Sequence, residues 1–326
     1  MNNPVFPHFV GCGRSGTTLL RNIFDSHSSL AMTHESHFIR PMARFRSRYE
    51  LVSGFDVDAF IADLYADSNF VRQGLREETV RSALDAKRPH DYPSAVRAVF
   101  SAYADAEGKE LYGDKTPGSV TQIVLLAELF PEAKFVHIIR DGRAVALSYL
   151  ERPEWGPETM AEAAHHWKNR VRRGRAGGGI VGTDRYMEVR YENVVVDPEA
   201  VARAVCAFLG LSFEAGMLRS HEQSADFIAS TKDPEAFKNL SRPITPGLRD
   251  WQEEISERDR RIFEAIAGDL LVQLGYPVSG EPPDLATRAR LIFAAVSWQR
   301  KRVAARISSR TNKSKTIAGA RKDQVG

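Results

Sequence analysis

The feature that most constrains this chain is a glycine loop, Gly11-Cys12-Gly13-Arg14-Ser15-Gly16-Thr17-Thr18. It lies between an apolar run over residues 5–10 and a stretch in which Leu19, Leu20, Ile23 and Phe24 recur at helical spacing. That succession predicts a strand, a tight turn and a helix. The spacing G-x-x-x-x-G, followed by two hydroxyl residues, is the frame of a phosphate-cradling loop. Glycines let the backbone turn its N–H groups inward, and the helix N-terminus adds partial positive charge. Where ATP-hydrolysing versions of the loop carry a lysine, this chain has Thr17, and Arg14 sits inside the loop instead. A kinase or ATPase would lack its usual clamp on the γ-phosphoryl group. The loop still suits a 5′-phosphate.

Further strands are expected at 30–33, at 134–139 (KFVHII) and at 186–189. Helices are expected across 56–107, with Asp56, Asp91 or Ser94 as caps, and over 120–130, 158–173, 198–209 and 258–274. The GGG at 177–179 is expected to form a loop. Strands alternating with helices predict an α/β chain of P-loop type: three layers, with a mostly parallel central sheet flanked by helices. The expected organisation is a catalytic domain over 1–281, with a helical insertion at about 40–107 that shapes an acceptor site. A basic amphipathic helix and flexible tail over 282–326 complete it.

Composition narrows the function. With 326 residues and 43% apolar content, the chain can bury a core without cross-links. Two cysteines, Cys12 and Cys206, provide neither a disulfide framework nor a Cys-rich zinc site, and no metal-ligand spacing occurs, so no metal is expected. There is no apolar run of about 18 residues and no basic leader followed by an apolar stretch. A cytoplasmic protein is therefore expected. The net charge of +3 is uneven: residues 282–326 hold eleven Lys/Arg against Asp284 and Asp323, a net +9, which leaves −6 on the remainder. An acidic body argues against a nucleic-acid partner.

A second anion site is expected where KFVHII runs into RDGRAVALSYL, with Arg140 at the strand end and Ser148 eight residues on. In open α/β sheets ligands bind beyond the carboxyl ends of strands, so two such sites imply a ligand with phosphates at both ends. GCGRSGTTLL with HIIRDGRAVALSYL, together with THESHFIRP, YGDKTP and VRYENVVVDP, resembles the sulfotransferases that use 3′-phosphoadenosine 5′-phosphosulfate (PAPS). The closest flavour is the bacterial branch similar to tyrosylprotein and carbohydrate sulfotransferases. The resemblance covers residues 5 to about 276.

The resemblance implies roles residue by residue. Arg14, Ser15, Gly16, Thr17 and Thr18 would hold the 5′-phosphosulfate, and Arg140 and Ser148 the 3′-phosphate. Tyr191 would lie near the adenine, and Lys238 and Arg242 would close over the donor. Glu35 would be the general base, more effective if burial raises its pKa, with His34 and His37 as rival bases. Lys115, with Arg14, would stabilise the leaving group. The bland alternatives are a surface pair of Glu35 with Arg40 or Arg44, a surface pair of Asp114 with Lys115, and a half-buried core role for Tyr191.

The implied reaction is transfer of a sulfuryl group to a hydroxyl of a glycan, glycolipid, phenol or small metabolite. The alternatives are an ATP-dependent phosphotransferase and a non-catalytic nucleotide-binding module. Oligomeric state is left open. Residues 285–310 place apolar positions near one helical face among arginines and lysines. Two readings of that segment stand: a peripheral helix on an anionic membrane surface, or one docked on the body. Co-sedimentation with anionic vesicles separates them. The membrane reading expects the full chain to pellet and residues 1–281 to stay behind; equal recovery removes it.

Overall fold

A computed structural model describes residues 3–231, 233–245 and 250–280, so the basic segment of residues 285–310 lies outside the described residues. In chain order the elements are β1 (Phe6–Gly11), α1 (Thr17–Asp25), β2 (Leu30–Thr33), α2 (Ile39–Ala43), the short strands β3 (Glu50–Leu51) and β4 (Gly54–Phe55), α3 (Val57–Ala66), α4 (Ser68–Val71), α5 (Glu77–Lys87) and α6 (Tyr92–Ala106). There follow β5 (Leu111–Lys115), α7 (Ile123–Leu129), β6 (Ala133–Ile139), α8 (Gly142–Leu150), α9 (Met160–Val181), β7 (Tyr186–Arg190), α10 (Tyr191–Val196), α11 (Pro198–Leu209), α12 (Ser224–Ser230), α13 (Trp251–Glu254) and α14 (Glu257–Gln273). The chain divides into two compact units. The first comprises Met1–Arg140 and Asn169–Arg249, the second Asp141–Lys168 and Asp250–Gly326.

The first unit is built on a five-stranded sheet of order β2-β5-β1-β6-β7, every neighbouring pair parallel. Strand β1 is buried along its whole length, which is why FPHFVG reads as an unbroken run rather than an alternating one. Its side chains serve two cores in turn. Phe6 and Val10 join Phe135, Val96, Phe100 and Leu126 in one cluster. Phe9 joins Leu20, Phe24, Val136, Ile138 and Val205 in the other.

Helix ends follow the local chemistry. The Asp56 carboxylate accepts from the Ala59 N–H, and Asp91 and Ser94 form a reciprocal capping box at the start of α6. Pro198 opens α11 and Gly210, at φ 80°, closes it.

The second unit is organised by Arg143, buried to 1% exposure. Its guanidinium bonds both Asp141 carboxylate oxygens (3.1 and 2.8 Å) and Glu264 (2.8 Å), and lies 3.7 Å from the Trp251 ring centroid. Removing one partner of such a buried pair costs about 3–5 kcal/mol. Asp141 also caps α8 by accepting from the Arg143 N–H.

One expectation is corrected. Gly177, Gly178 and Gly179 lie inside α9, not in a loop. Each helical glycine costs about 1 kcal/mol relative to alanine, but here bare backbone permits close packing. A Cβ added at Gly174 would sit 2.5 Å from Val120 and 2.6 Å from the His137 ring, and one at Gly178 would sit 2.5 Å from the Tyr186 ring. At Gly179 nothing lies within 4 Å. Gly174→Ala is therefore expected to lower unfolding free energy by about 1–3 kcal/mol through overpacking. Gly179→Ala should raise it by about 0.5–1 kcal/mol. Denaturant titration of the two variants checks the contrast; equal effects would contradict this packing.

Candidate functional site

Parallel pairing sets the carboxyl ends of the five strands at one edge of the sheet, where loops bearing unlike chemistry become neighbours. Reading across the strand order, β2 leads to Glu35, β5 ends at Lys115, β1 runs into the glycine loop, β6 ends beside Arg140, and β7 ends before Tyr191. The register is explicit: Thr33 pairs with Asp114, Phe9 with Lys115, Gly11 with Ile138, and Ile139 with Arg190.

The glycine loop has the shape its spacing predicts. Arg14 and Gly16 take left-handed backbone angles, φ 68° and 89°. The Ser15 N–H closes onto the Cys12 carbonyl at 3.2 Å. Gly16 is the N-cap of α1 and supplies no side-chain cap, which leaves the first N–H groups of the helix to a ligand or to water. Ser15 is 1% exposed, and its hydroxyl has no hydrogen-bond partner among the described residues. Thr17 is buried and Thr18 half-buried at the start of the helix.

Arg140 is held against this loop. Its Nη1 donates to the Arg14 carbonyl at 3.3 Å, and its guanidinium stands 4.3 Å from the Tyr191 ring centroid. A Cβ on Gly16 would lie 2.3 Å from Tyr191 Cδ2, so the same ring also braces the loop. The Tyr191 ring thus packs against both the glycine loop and Arg140, a contact that its place in VRYEN did not reveal.

The other end of the row is an ion-pair cluster. Lys115 Nζ donates to Glu35 Oε1 at 3.1 Å, and His37 Nε2 lies 2.9 Å from Glu35 Oε2. Glu35 does not pair with Arg40 or Arg44, and Asp114 is not a surface partner of Lys115. Asp114 is fully buried, and its Oδ1 accepts from Thr33 Oγ1 (3.3 Å) and Thr116 Oγ1 (3.0 Å). Thr116 Oγ1 in turn accepts from the Ser36 N–H at 2.9 Å. His8 Nδ1 lies 3.6 Å from Asp114 Oδ2. Asp114 therefore ties the segment carrying Glu35 to the strand carrying Lys115, a link that the sequence did not disclose.

The charge states differ from expectation. Burial pushes the Glu35 carboxyl up, but the Lys115 ammonium and the hydrogen bond and charge of His37 outweigh it, bringing the pKa from 4.5 down to about 2. Burial, aided by Arg21 and Lys115, lowers His34 to about 3, which removes it as a useful base at neutral pH. The hydrogen bond to Glu35 holds His37 above its ordinary 6.5, against some opposition from burial.

The remaining expected residues have the following settings. Ser148 is buried on α8 in the second unit. Lys238 is exposed and ion-paired with Glu235, and Arg242, also exposed, donates its backbone N–H to the Asn239 carbonyl. The partners seen for both are local. Among the described residues no cluster of three or more His, Cys, Asp or Glu could hold a metal ion.

Comparison with known proteins fits this arrangement. The matching family description, "Sulfotransferase family", covers residues 4–215. Protein-tyrosine sulfotransferase A of Caenorhabditis elegans is 23% identical over 86% of this chain and 70% of its own length. The protein-tyrosine sulfotransferase of Drosophila melanogaster is 24% identical over 84% of this chain and 52% of its own length. Among solved structures, the sulfotransferase domain of the Synechococcus PCC 7002 olefin synthase superposes with a TM-score of 0.61 at 24% identity, covering 85% of this chain and 97% of that domain. The sulfotransferase domain from the curacin biosynthetic pathway gives 0.58 at 19%, covering 85% and 100%. At these identities the structural likeness concerns the fold.

The Glu35 ion pairs carry a pH signature. A carboxyl whose pKa drops on folding contributes stability above its unfolded pKa and loses it as pH falls through the folded value. The stability difference between the native chain and Glu35→Gln should therefore be full above about pH 4.5 and shrink as pH falls toward about 2. A difference that stays constant across that window, in denaturant titrations at successive pH values, would contradict the pairing.

Proposed function

The chain belongs to the sulfotransferase family, and from that premise we propose that it carries a sulfuryl group from PAPS to a phenolic hydroxyl, foremost that of a tyrosine. It is an enzyme of sulfuryl transfer rather than a kinase. The observation that carries the reading is the strand order. It sets a phosphate-cradling loop on β1 next to Arg140 after β6 on one side, and next to Lys115 of β5 on the other. The tyrosine acceptor draws its support from the names of the two relatives.

The residues present fit such a donor. The α1 N-terminus lacks a side-chain cap and the buried Ser15 hydroxyl lacks a partner among the described residues, which is what an anionic 5′ group would complete. A guanidinium fixed by a carbonyl and an aromatic ring is preorganised for a phosphate oxygen, which supports Arg140 as the residue that would hold the 3′-phosphate. Tyr191 would hold that guanidinium in place from the adenine side. The donor, when bound, supplies an activated sulfuryl group and a stable bisphosphate leaving group.

The chain's own contributions follow from its charges. Lys115 and Arg14 would stabilise negative charge growing on the leaving oxygen, an interaction stronger in the transition state than before it. The pair formed by Glu35 and His37 would receive the proton released by the attacking hydroxyl. Backbone N–H groups of the loop would hold the 5′ end in line for attack.

Calorimetry with two nucleotides tests the grip at the 3′ end. Arg140→Ala is expected to weaken adenosine 3′,5′-bisphosphate by roughly ten-fold or more, as loss of a charge-assisted bond of about 1.5–3 kcal/mol requires. Adenosine 5′-phosphosulfate, which has no 3′-phosphate, should lose far less. Equal losses for both ligands, or ATP binding more tightly than the bisphosphate, would contradict the assignment.

A further inference from the structure

We propose that His8, buried on β1, is a positioning residue of the reaction centre: its Nδ1 holds the Asp114 carboxylate that keeps Lys115 and Glu35 in register. The inference rests on the sulfotransferase reading above and adds to it a residue of the sheet interior.

A row of side chains crosses the sheet close to the Lys115 end of β5. In the parallel register Thr33 pairs with Asp114, Asp114 with His8, and His8 with Phe135. Paired residues on neighbouring strands share a face, so these side chains stand in line. His8 and Asp114 are both fully buried, and His8 Nδ1 lies 3.6 Å from Asp114 Oδ2. Among the described residues neither of these two atoms has a hydrogen-bond partner, and His8 Nε2 has none either. The other carboxylate oxygen, Asp114 Oδ1, accepts from the hydroxyls of Thr33 and Thr116.

Burial gives this pairing its weight, because a polar atom away from water is costly unless it is partnered. The imidazole is otherwise confined by aromatic rings, with centroids at 4.3 Å for Phe6, 5.5 Å for Phe135 and 6.1 Å for Phe130. None of these rings can donate to a carboxylate. The Nδ1–H tautomer of His8 is the form that meets Oδ2. A histidine present only to pack among rings would be interchangeable with phenylalanine. One set opposite a half-satisfied carboxylate is not.

The carboxylate in question governs the site. Asp114 precedes Lys115 and Thr116 follows it, so the bond from Thr116 Oγ1 to Asp114 Oδ1 brackets the lysine. Thr116 Oγ1 also accepts from the N–H of Ser36, the neighbour of Glu35. A carboxylate held through one oxygen can turn about its Cβ–Cγ bond, which is a soft torsion. With its second oxygen on His8, it cannot turn without losing that contact. The chain from His8 through Asp114 and Thr116 to Ser36 thereby fixes the 3.1 Å contact of Lys115 Nζ with Glu35 Oε1. Groups locked in this way by supporting hydrogen bonds need no reorganisation during the reaction.

The test uses the full chain and two substitutions. His8→Phe keeps a ring against Phe135 and removes the nitrogens. His8→Asn keeps an amide donor near the place of Nδ1. With PAPS and tyrosine amide, His8→Phe is expected to lower kcat about ten-fold and to change KM for PAPS by less than about two-fold, as a misplaced reacting group requires. His8→Asn should keep most of the native kcat. Adding Asp114→Asn to His8→Phe should restore it as well, since the amide oxygen still accepts from Thr33 and Thr116 while the unpartnered charge is gone. A second readout needs no transfer. The coupling of Glu35 with Lys115, from a double-mutant cycle of Glu35→Gln and Lys115→Met in denaturant, should fall by about half or more in the His8→Phe background. Native kcat in His8→Phe overturns the proposal. So does a loss that neither His8→Asn nor the added Asp114→Asn repairs, which would make the shape of the ring decisive rather than its nitrogen. Adenosine 3′,5′-bisphosphate binding that weakens in step with kcat would show general damage to the sheet and overturn it too. No transfer by the native enzyme would contradict the reading on which the proposal rests, whereas an unchanged Glu35–Lys115 coupling in His8→Phe would overturn the proposal itself.

Discussion

Parallel hydrogen bonding across β2-β5-β1-β6-β7 is the constraint on which the rest of the first unit depends. Parallel strands end at the same edge, so segments far apart in sequence, around residues 11–18, 33–37, 114–116 and 140, are delivered side by side. No single motif creates the site. The glycine loop supplies N–H groups, Arg140 a permanent charge, and Lys115 with Glu35 a buried ion pair opening toward solvent. Each would be an ordinary feature on another fold. The sheet brings them to one edge, where the proposed reading sets phosphate binding at the centre and proton transfer at the β2 end.

The polar groups are held by other polar groups. Arg140 is oriented by a carbonyl and an aromatic ring, and the ring also packs on Gly16. Glu35 and Lys115 are kept in register by Asp114 acting through Thr33, Thr116 and Ser36. Fixing side chains in this way before a ligand arrives lowers the cost of organising them during the reaction. The neighbouring charges also set the protonation states. They keep Glu35 anionic far below neutral pH and hold His37 above its ordinary value.

Much of this was legible in the sequence, wherever the deciding physics is local. The loop, β2 at residues 30–33, the apolar KFVHII strand and the Pro-to-Gly span of α11 are fixed by short-range turn, cap and periodicity rules, and they stand as expected. The misreadings have a common cause in tertiary contact. Gly177 and Gly178 lie in a helix where Ile123 and Tyr186 pack in the space side chains would fill. The alternative of a surface pair between Asp114 and Lys115 falls for the same reason, since pairing with β1 and β2 buries Asp114. Burial alone would have raised the pKa of Glu35, but the donors that reverse the shift come from a strand 80 residues away and from a strained turn at His37.

The most direct test of the central claim is a crystal structure of the complex with adenosine 3′,5′-bisphosphate. The account predicts the 5′-phosphate on backbone N–H groups of residues 13–18 and the 3′-phosphate on the Arg140 guanidinium. A nucleotide bound in the reverse sense, or with its 3′-phosphate away from Arg140, would contradict it.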